Sequence, residues 1–139
     1  MQNYETRYAS SPSGVKKYDT SELREEFLIQ DLFKKDELFW VYSHYDRYMV
    51  SGITPVKNKI KLETIDPIKA SYFLERRELG VINIGGSGTI TVDGIVYIIE
   101  NKEALYIGQG SKSVVFASES KNNPAKFYLN STPAHKAFP

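Results

Sequence analysis

At 139 residues, with 41% hydrophobic and 25% charged side chains, the chain has the make-up of one globular domain with its own core, which excludes disorder. Its 18 Lys and Arg against 17 Asp and Glu leave no long-range field to hold nucleic acid or an acidic membrane surface, so both are excluded as partners. The absence of Cys removes disulfides and thiolate zinc sites, and no apolar run approaches secretory or membrane-spanning length, so a cytoplasmic location is expected.

In chain order, residues 1–35 read as an arm carrying one short helix and residues 36–139 as a β-domain. The first 19 residues hold Ser10, Ser11, Pro12, Ser13 and Gly14, a turn-rich run expected to lie over the surface or across a neighbouring subunit. Thr20 or Ser21 is placed to cap a helix ending at Phe27 or Leu28, because Glu22 and Glu25 fall in its first turns and Leu23, Phe27 and Leu28 recur on one face. Beyond Asp36 short β-branched runs alternate with turn residues, predicting strands at 38–43, 48–53, 59–63, 79–84, 89–92, 95–99, 104–108, 114–118 and 126–130. This is the pattern of an all-β sandwich or barrel rather than of βαβ units. Asp93-Gly94 between two β-branched runs predicts a two-residue hairpin turn with positive φ.

Several residues invite chemistry. His44 and Asp46 would face one way if the strand ran through them, as a carboxylate-oriented imidazole does; the alternative is a His and an Asp bonded to backbone at a strand end. Arg76 and Arg77 could clamp a carboxylate, although neighbours on a strand point oppositely and at most one can enter the interior. The competing reading is an ion-pair network with Glu75, Glu78 and Glu63, and Arg47 carries the same ambiguity. The aromatic group Phe39, Trp40, Tyr42, Tyr45 and Tyr48 fits a sugar-stacking surface, a subunit interface or core. Gly85-Gly86-Ser87-Gly88 has no helix behind it to hold an anion and is not a nucleotide signature.

The strings YSHYDR (42–47), SYFLERRELGVINIGGSGTITVDG (71–94), EALYIG (103–108), VVFAS (114–118) and PAKFY (124–128) together resemble the 4-deoxy-L-threo-5-hexosulose-uronate ketol-isomerases, also called 5-keto-4-deoxyuronate isomerases. The resemblance runs from about Leu23 to His135 and implies a cupin-like β-sandwich or barrel (jelly roll), the first of two in the parent protein, ending near Pro133-Ala134-His135 as an excised domain or a truncated product. His135 then falls in the linker to the second barrel. The resemblance further implies a cytoplasmic hexamer that isomerises a sugar acid during pectin breakdown, with zinc held by three histidines and a glutamate in the second barrel.

Cupin barrels place their ligands as His-x-His, a Glu four residues on, a Gly seven beyond and a last His after a second turn. Here Tyr72 and Leu74 stand at the first two positions, Glu78 and Gly85 keep the spacing, and Ser113 follows the Gly108 and Gly110 turn in place of the last His. With Glu78 alone as a donor this barrel is expected to hold no metal and no cofactor, since catalytic zinc takes three protein ligands. Strand alternation would put Tyr72, Leu74 and Glu78 on one face, with the socket filled as core. Three functions follow from the resemblance: a supporting and oligomerising barrel, inactive alone; a sugar-acid pocket around Arg76, Glu78 and Tyr106 with His44 nearby; or a self-sufficient isomerase with Glu78 as base.

Overall fold

The computed structural model describes residues 3–138. Two sheets carry the chain. The larger runs β1 (Asn3–Arg7), β2 (Leu38–Ser43), β3 (Met49–Ile53), β10 (Phe127–Pro133), β5 (Arg77–Asn83) and β8 (Ala104–Ile107). The smaller runs β4 (Ile60–Lys61), β9 (Val114–Ser118), β6 (Gly88–Val92) and β7 (Ile95–Ile99). All pairings are antiparallel except β1 with β2. The expected all-β sandwich is therefore the observed one.

Alternation along the strands builds the core. In β5, Leu79 and Val81 are buried on the inner face while Glu78, Gly80 and Ile82 face outward. Leu129 of β10 sits opposite Val81 and also opposite Ser51 of β3, so its side chain lies in the middle of the large sheet. Ile90, Val114 and Phe116 of the small sheet meet Trp40, Met49 and Ile53 of the large one in a single cluster. Phe116 and Phe127 join the two layers with ring centroids 5.5 Å apart.

Turn chemistry follows the sequence at the β6–β7 hairpin but not at the β2–β3 one. Asp93 (φ 47°) and Gly94 (φ 86°) form the turn between β6 and β7 with positive φ at both positions. Asp93 also accepts backbone N–H bonds from Lys112 and Ser113, which ties the turn to the start of β9. The β2–β3 hairpin turns on Asp46 (φ 55°) and Arg47 (φ 54°), with Tyr48 N donating to the Tyr45 carbonyl. Arginine pays steric strain there that glycine would not. The strand thus stops at Ser43, and the run through His44 and Asp46 is a turn.

The glycine run 85–88 is where the chain leaves β5 in the large sheet for β6 in the small one. A Cβ on Gly86 would strike the carbonyl oxygen of Asn123, and one on Gly88 would stand 2.6 Å from the Ala117 carbonyl oxygen. Close backbone approach, not an anion, is what these glycines serve.

The amino-terminal arm is more ordered than its composition suggests. β1 adds a parallel edge strand, with Tyr4 opposite Trp40. A one-turn helix, α1 (Pro12–Val15), and the expected helix, α2 (Thr20–Phe27), follow. The cap of α2 is Asp19, not Thr20 or Ser21: its Oδ1 accepts from Glu22 N at 2.8 Å while the Glu22 carboxylate accepts from Asp19 N, a reciprocal capping box. Arg7 Nη1 donates to the Leu28 carbonyl at 2.6 Å and so anchors the segment after α2 to β1. Before the first barrel strand, Asp36 accepts backbone N–H bonds from Val56, Lys57 and Asn58, and the bond from Val56 foremost holds its carboxyl below the usual range.

The structure also corrects the alternation expected through 72–78. Phe73–Glu75 is a single 3-10 turn, so Tyr72 and Leu74 are not in strand register with Glu78. β5 begins at Arg77, two residues before the predicted start, and β10 continues to Pro133 rather than stopping at 130.

Candidate functional site

The two halves of the cupin-type motif do come together in space. Gly110 N donates to the Leu74 carbonyl at 2.8 Å and Gln109 Nε2 to the Glu75 carbonyl at 3.1 Å, so the second turn is pinned to the 3-10 turn that precedes β5. At that junction the interior is filled. Phe73 and Leu74 are 2% and 1% exposed, and the Phe73 ring stacks on Trp40 at 4.7 Å with 19° between planes. Trp40 is thereby settled as core, while Tyr42 and Tyr48 of the same aromatic group are half-buried. Burial and the hydrogen bond to Tyr128 push the Tyr48 phenol up to about 12.

Glu78 does not point into this interior. It lies on the outer face of the large sheet, where Tyr106 Oη donates to its Oε2 at 2.7 Å. That bond to Glu78 raises the Tyr106 phenol above its ordinary value, and the side chain is 54% exposed. Two of the candidate sugar-acid residues are thus partners. Arg76 bonds elsewhere: it is exposed, its Nη2 donates to the Ile68 and Lys69 carbonyls, and its Nη1 stands 3.8 Å from Glu75 Oε2. His44 is exposed in the β2–β3 turn, with its ring 4.5 Å from Tyr8 and 5.6 Å from Tyr42. The four residues therefore do not line one pocket.

Of the two adjacent arginines, Arg77 is the buried one, at 5% exposure. Its Nε donates to Ser131 Oγ at 3.0 Å and its Nη2 to the Ser131 and Arg47 carbonyls. Burial, with Arg47 nearby, holds its guanidinium below the ordinary value, at about 10, so it stays charged at neutral pH. The proposed network with Glu63 and Glu78 does not reach it: Arg77 makes no ion pair among the described residues.

A residue the sequence reading passed over is Asn83, 0% exposed at the end of β5. Its Nδ2 donates to the Gly86 and Ile99 carbonyls at 2.8 and 2.9 Å, and its Oδ1 accepts from Gly85 N and Lys126 N at 3.0 and 3.2 Å. All four hydrogen-bonding valences of the amide are used. A polar amide inside an apolar run just before Gly-Gly was the available signal.

The donor set does not fit a zinc ion. Tyr72, Leu74 and Ser113 replace imidazoles, Glu78 faces the other way, and no group of three or more His, Asp or Glu side chains gathers among the described residues. Gln109 Oε1 is buried without a donor, but one neutral carbonyl oxygen makes no catalytic metal site.

No protein-family model matches the chain. Curated relatives do. The chain is 59% identical over 136 residues to a 4-deoxy-L-threo-5-hexosulose-uronate ketol-isomerase of Formosa agariphila, covering 98% of this chain and 49% of that protein. It is 56% identical to the protein of the same name in Lachnoclostridium phytofermentans (97% of this chain, 49% of that one) and 55% identical to that of Yersinia enterocolitica (90% and 46%). The chain spans about half the length of these relatives. Among solved structures, an RmlC-like cupin from Desulfovibrio desulfuricans aligns at 16% identity and TM-score 0.48 (70% of this chain, 82% of that one). A cupin from Bacteroides fragilis aligns at 18% and 0.47 (66% and 70%).

Proposed function

We propose, from the premise that this chain belongs to the 4-deoxy-L-threo-5-hexosulose-uronate ketol-isomerases and spans about half their length, that it is their supporting barrel. In this reading it is the amino-terminal half of a cytoplasmic enzyme of pectin and uronate breakdown. It carries no cofactor itself and packs against a second, zinc-bearing barrel and further copies in a hexamer. The parent reaction moves a carbonyl to the neighbouring carbon of a sugar acid by way of an enediolate, whose negative charge calls for an electrophile. This barrel lacks the donor set for a divalent ion, so the chemistry is assigned to the other half.

The observation that carries the reading is the packed interior: Leu74, at one of the motif's ligand positions, is buried beside Phe73, whose ring stacks on Trp40. The outer surface supports it. Edge strand β7 leaves Ile95, Val96 and Ile98 about 60% exposed, at 59%, 60% and 61%, and Ile82 of β5 and Ile84 just after it are exposed as well. An uncharged apolar edge strand is a surface that natural proteins cover. Among the described residues no helix is long and apolar enough to cross a membrane.

The test is catalytic. The purified chain, given 5-dehydro-4-deoxy-D-glucuronate with and without added zinc, is expected to produce no ketol product above the buffer control. Turnover by this chain alone would return the chemistry to Glu78 and overturn the supporting role.

A further inference from the structure

A cleft of about 450 Å³ opens between the β2–β3 turn, the 66–70 loop and the segment after β10. Its charged lining is wholly basic, Arg47, Arg76 and Arg77, with the His135 ring beside them and no Asp or Glu among the lining residues. The compensation available to these cations inside the protein is small. Arg76 is partly answered by Glu75. The side chains of Arg47 and His135 make no hydrogen bond or ion pair among the described residues. Arg77 spends Nε and Nη2 on neutral acceptors, and its Nη1 has no acceptor among the described residues. Arg77 is 5% exposed and lines the cleft.

A guanidinium buried without a counter-ion is costly. The fold nonetheless positions this one with care. The Arg47 carbonyl that accepts from Arg77 is presented by a turn residue at positive φ, and Ser131 accepts twice, through its hydroxyl and its carbonyl. Three guanidinium groups and the His135 ring line one cleft, with the ends of Arg47 and His135 uncommitted, and an anion would complete the set.

We propose that this cleft binds a small organic carboxylate, its charged group held by Arg77 and Arg47 and its carbon body lying against Pro67, Ile68 and Tyr42. The walls favour a carboxylate over a phosphate. Phosphate sites draw on several free backbone N–H groups. Here Pro67 and Pro133 have none, and Ala134 N is already donated to the Arg76 carbonyl. The apolar walls suit an organic body, and the volume accommodates a monosaccharide-sized acid. The site is distinct from the Glu78–Tyr106 pair, and only the choice of a sugar acid as first probe rests on the isomerase reading. Binding without turnover leaves both proposals standing, and turnover without binding at this cleft sinks only this one.

The experiment titrates the chain with D-galacturonate, D-galactose and inorganic phosphate in parallel, followed by calorimetry or amide chemical shifts. Saturable binding of galacturonate is expected, with perturbed amides at residues 47, 77 and 131–135 and no saturation by galactose, which lacks the carboxylate. Arg47→Asn keeps the backbone carbonyl, suits the positive φ and removes the charge, so it should weaken binding about tenfold while leaving the thermal midpoint nearly unchanged. Arg77→Lys, which loses the fork but keeps a cation, should weaken it further; if that variant fails to fold, the exposed Arg47→Asn decides alone. Absence of saturation with galacturonate, equal affinity for phosphate, or affinity unchanged in Arg47→Asn would each overturn the proposal.

Discussion

Replacing Asn83 with Asp is expected to destabilise the chain by about 3–5 kcal/mol near neutral pH, a large part of the 5–15 kcal/mol typical of a domain. The change alters one heavy atom and almost no volume, so packing cannot account for the loss. The two carbonyls of Gly86 and Ile99 now receive bonds from the amide nitrogen, and a carboxylate oxygen would face both with no proton to offer. Two acceptors would be left unpaired and a charge would be buried beside them. Because the site is 0% exposed, water cannot repair the loss. The pH dependence has a definite sign. Burial and the facing carbonyls favour the neutral form of the introduced carboxyl, so its folded pKa is raised above its unfolded one. The variant is then least destabilised in acid, where the protonated carboxyl can donate one bond, and loses stability as pH rises through the folded pKa. Urea midpoints of wild type and variant measured across acid to neutral pH would show the gap widening upward. A constant gap would mean that the bonds of Asn83 matter only through the shape of the amide.

The second large effect falls on Trp40. Its side chain is 0% exposed and stacked on Phe73, at the point where the 3-10 turn closes over the interior. Trp40→Ala removes an aromatic side chain from a core cluster that also holds Met49, Ile53, Leu79 and Leu129, all 0% exposed, so little can move in to refill the space. Such truncations cost about 3–5 kcal/mol, and for a chain of this size the melting midpoint should fall by roughly 10–20 °C. Trp40→Phe retains stacking and most of the volume, and should lose less than half as much. If Trp40→Ala melts within a few degrees of wild type, the interior is not packed as described, and the assignment of this barrel to support weakens with it.

How much of this was legible depends on which force set each element. β2, β7 and β9 run over the residues expected because β-branched and aromatic runs bounded by turn residues encode a half-buried strand directly. The Asp93-Gly94 turn was equally plain, since few other pairs accept positive φ twice. β1 was not, because its Asn-Tyr-Glu-Thr-Arg run is polar and its place is set by pairing with β2, a long-range fact. The helix cap lies one or two residues before the expected Thr20 or Ser21, because three consecutive residues are all good capping types and only the reciprocal bonds of Asp19 and Glu22 select among them.

Within the candidate site, the motif spacing brought the right segments together, as the bond from Gly110 to Leu74 shows. The direction of each side chain was lost to one local feature. A 3-10 turn at Phe73–Glu75 breaks strand alternation, so the count from Tyr72 to Glu78 no longer predicts a face, and Glu78 emerges on the outside with Tyr106. The same break decides between the arginines. Two adjacent identical residues give no local reason for either to be buried; only the pairing of β5 with β10 brings Ser131 to Arg77.

The central claim is that this barrel offers a divalent ion no home. Its most direct test is the zinc content of the purified chain after equilibration with excess zinc and removal of loosely held ion by gel filtration. The account predicts far less than one zinc per chain, with the same content in Glu78→Gln as in wild type. One zinc per chain, retained through filtration and lost in Glu78→Gln, would contradict it.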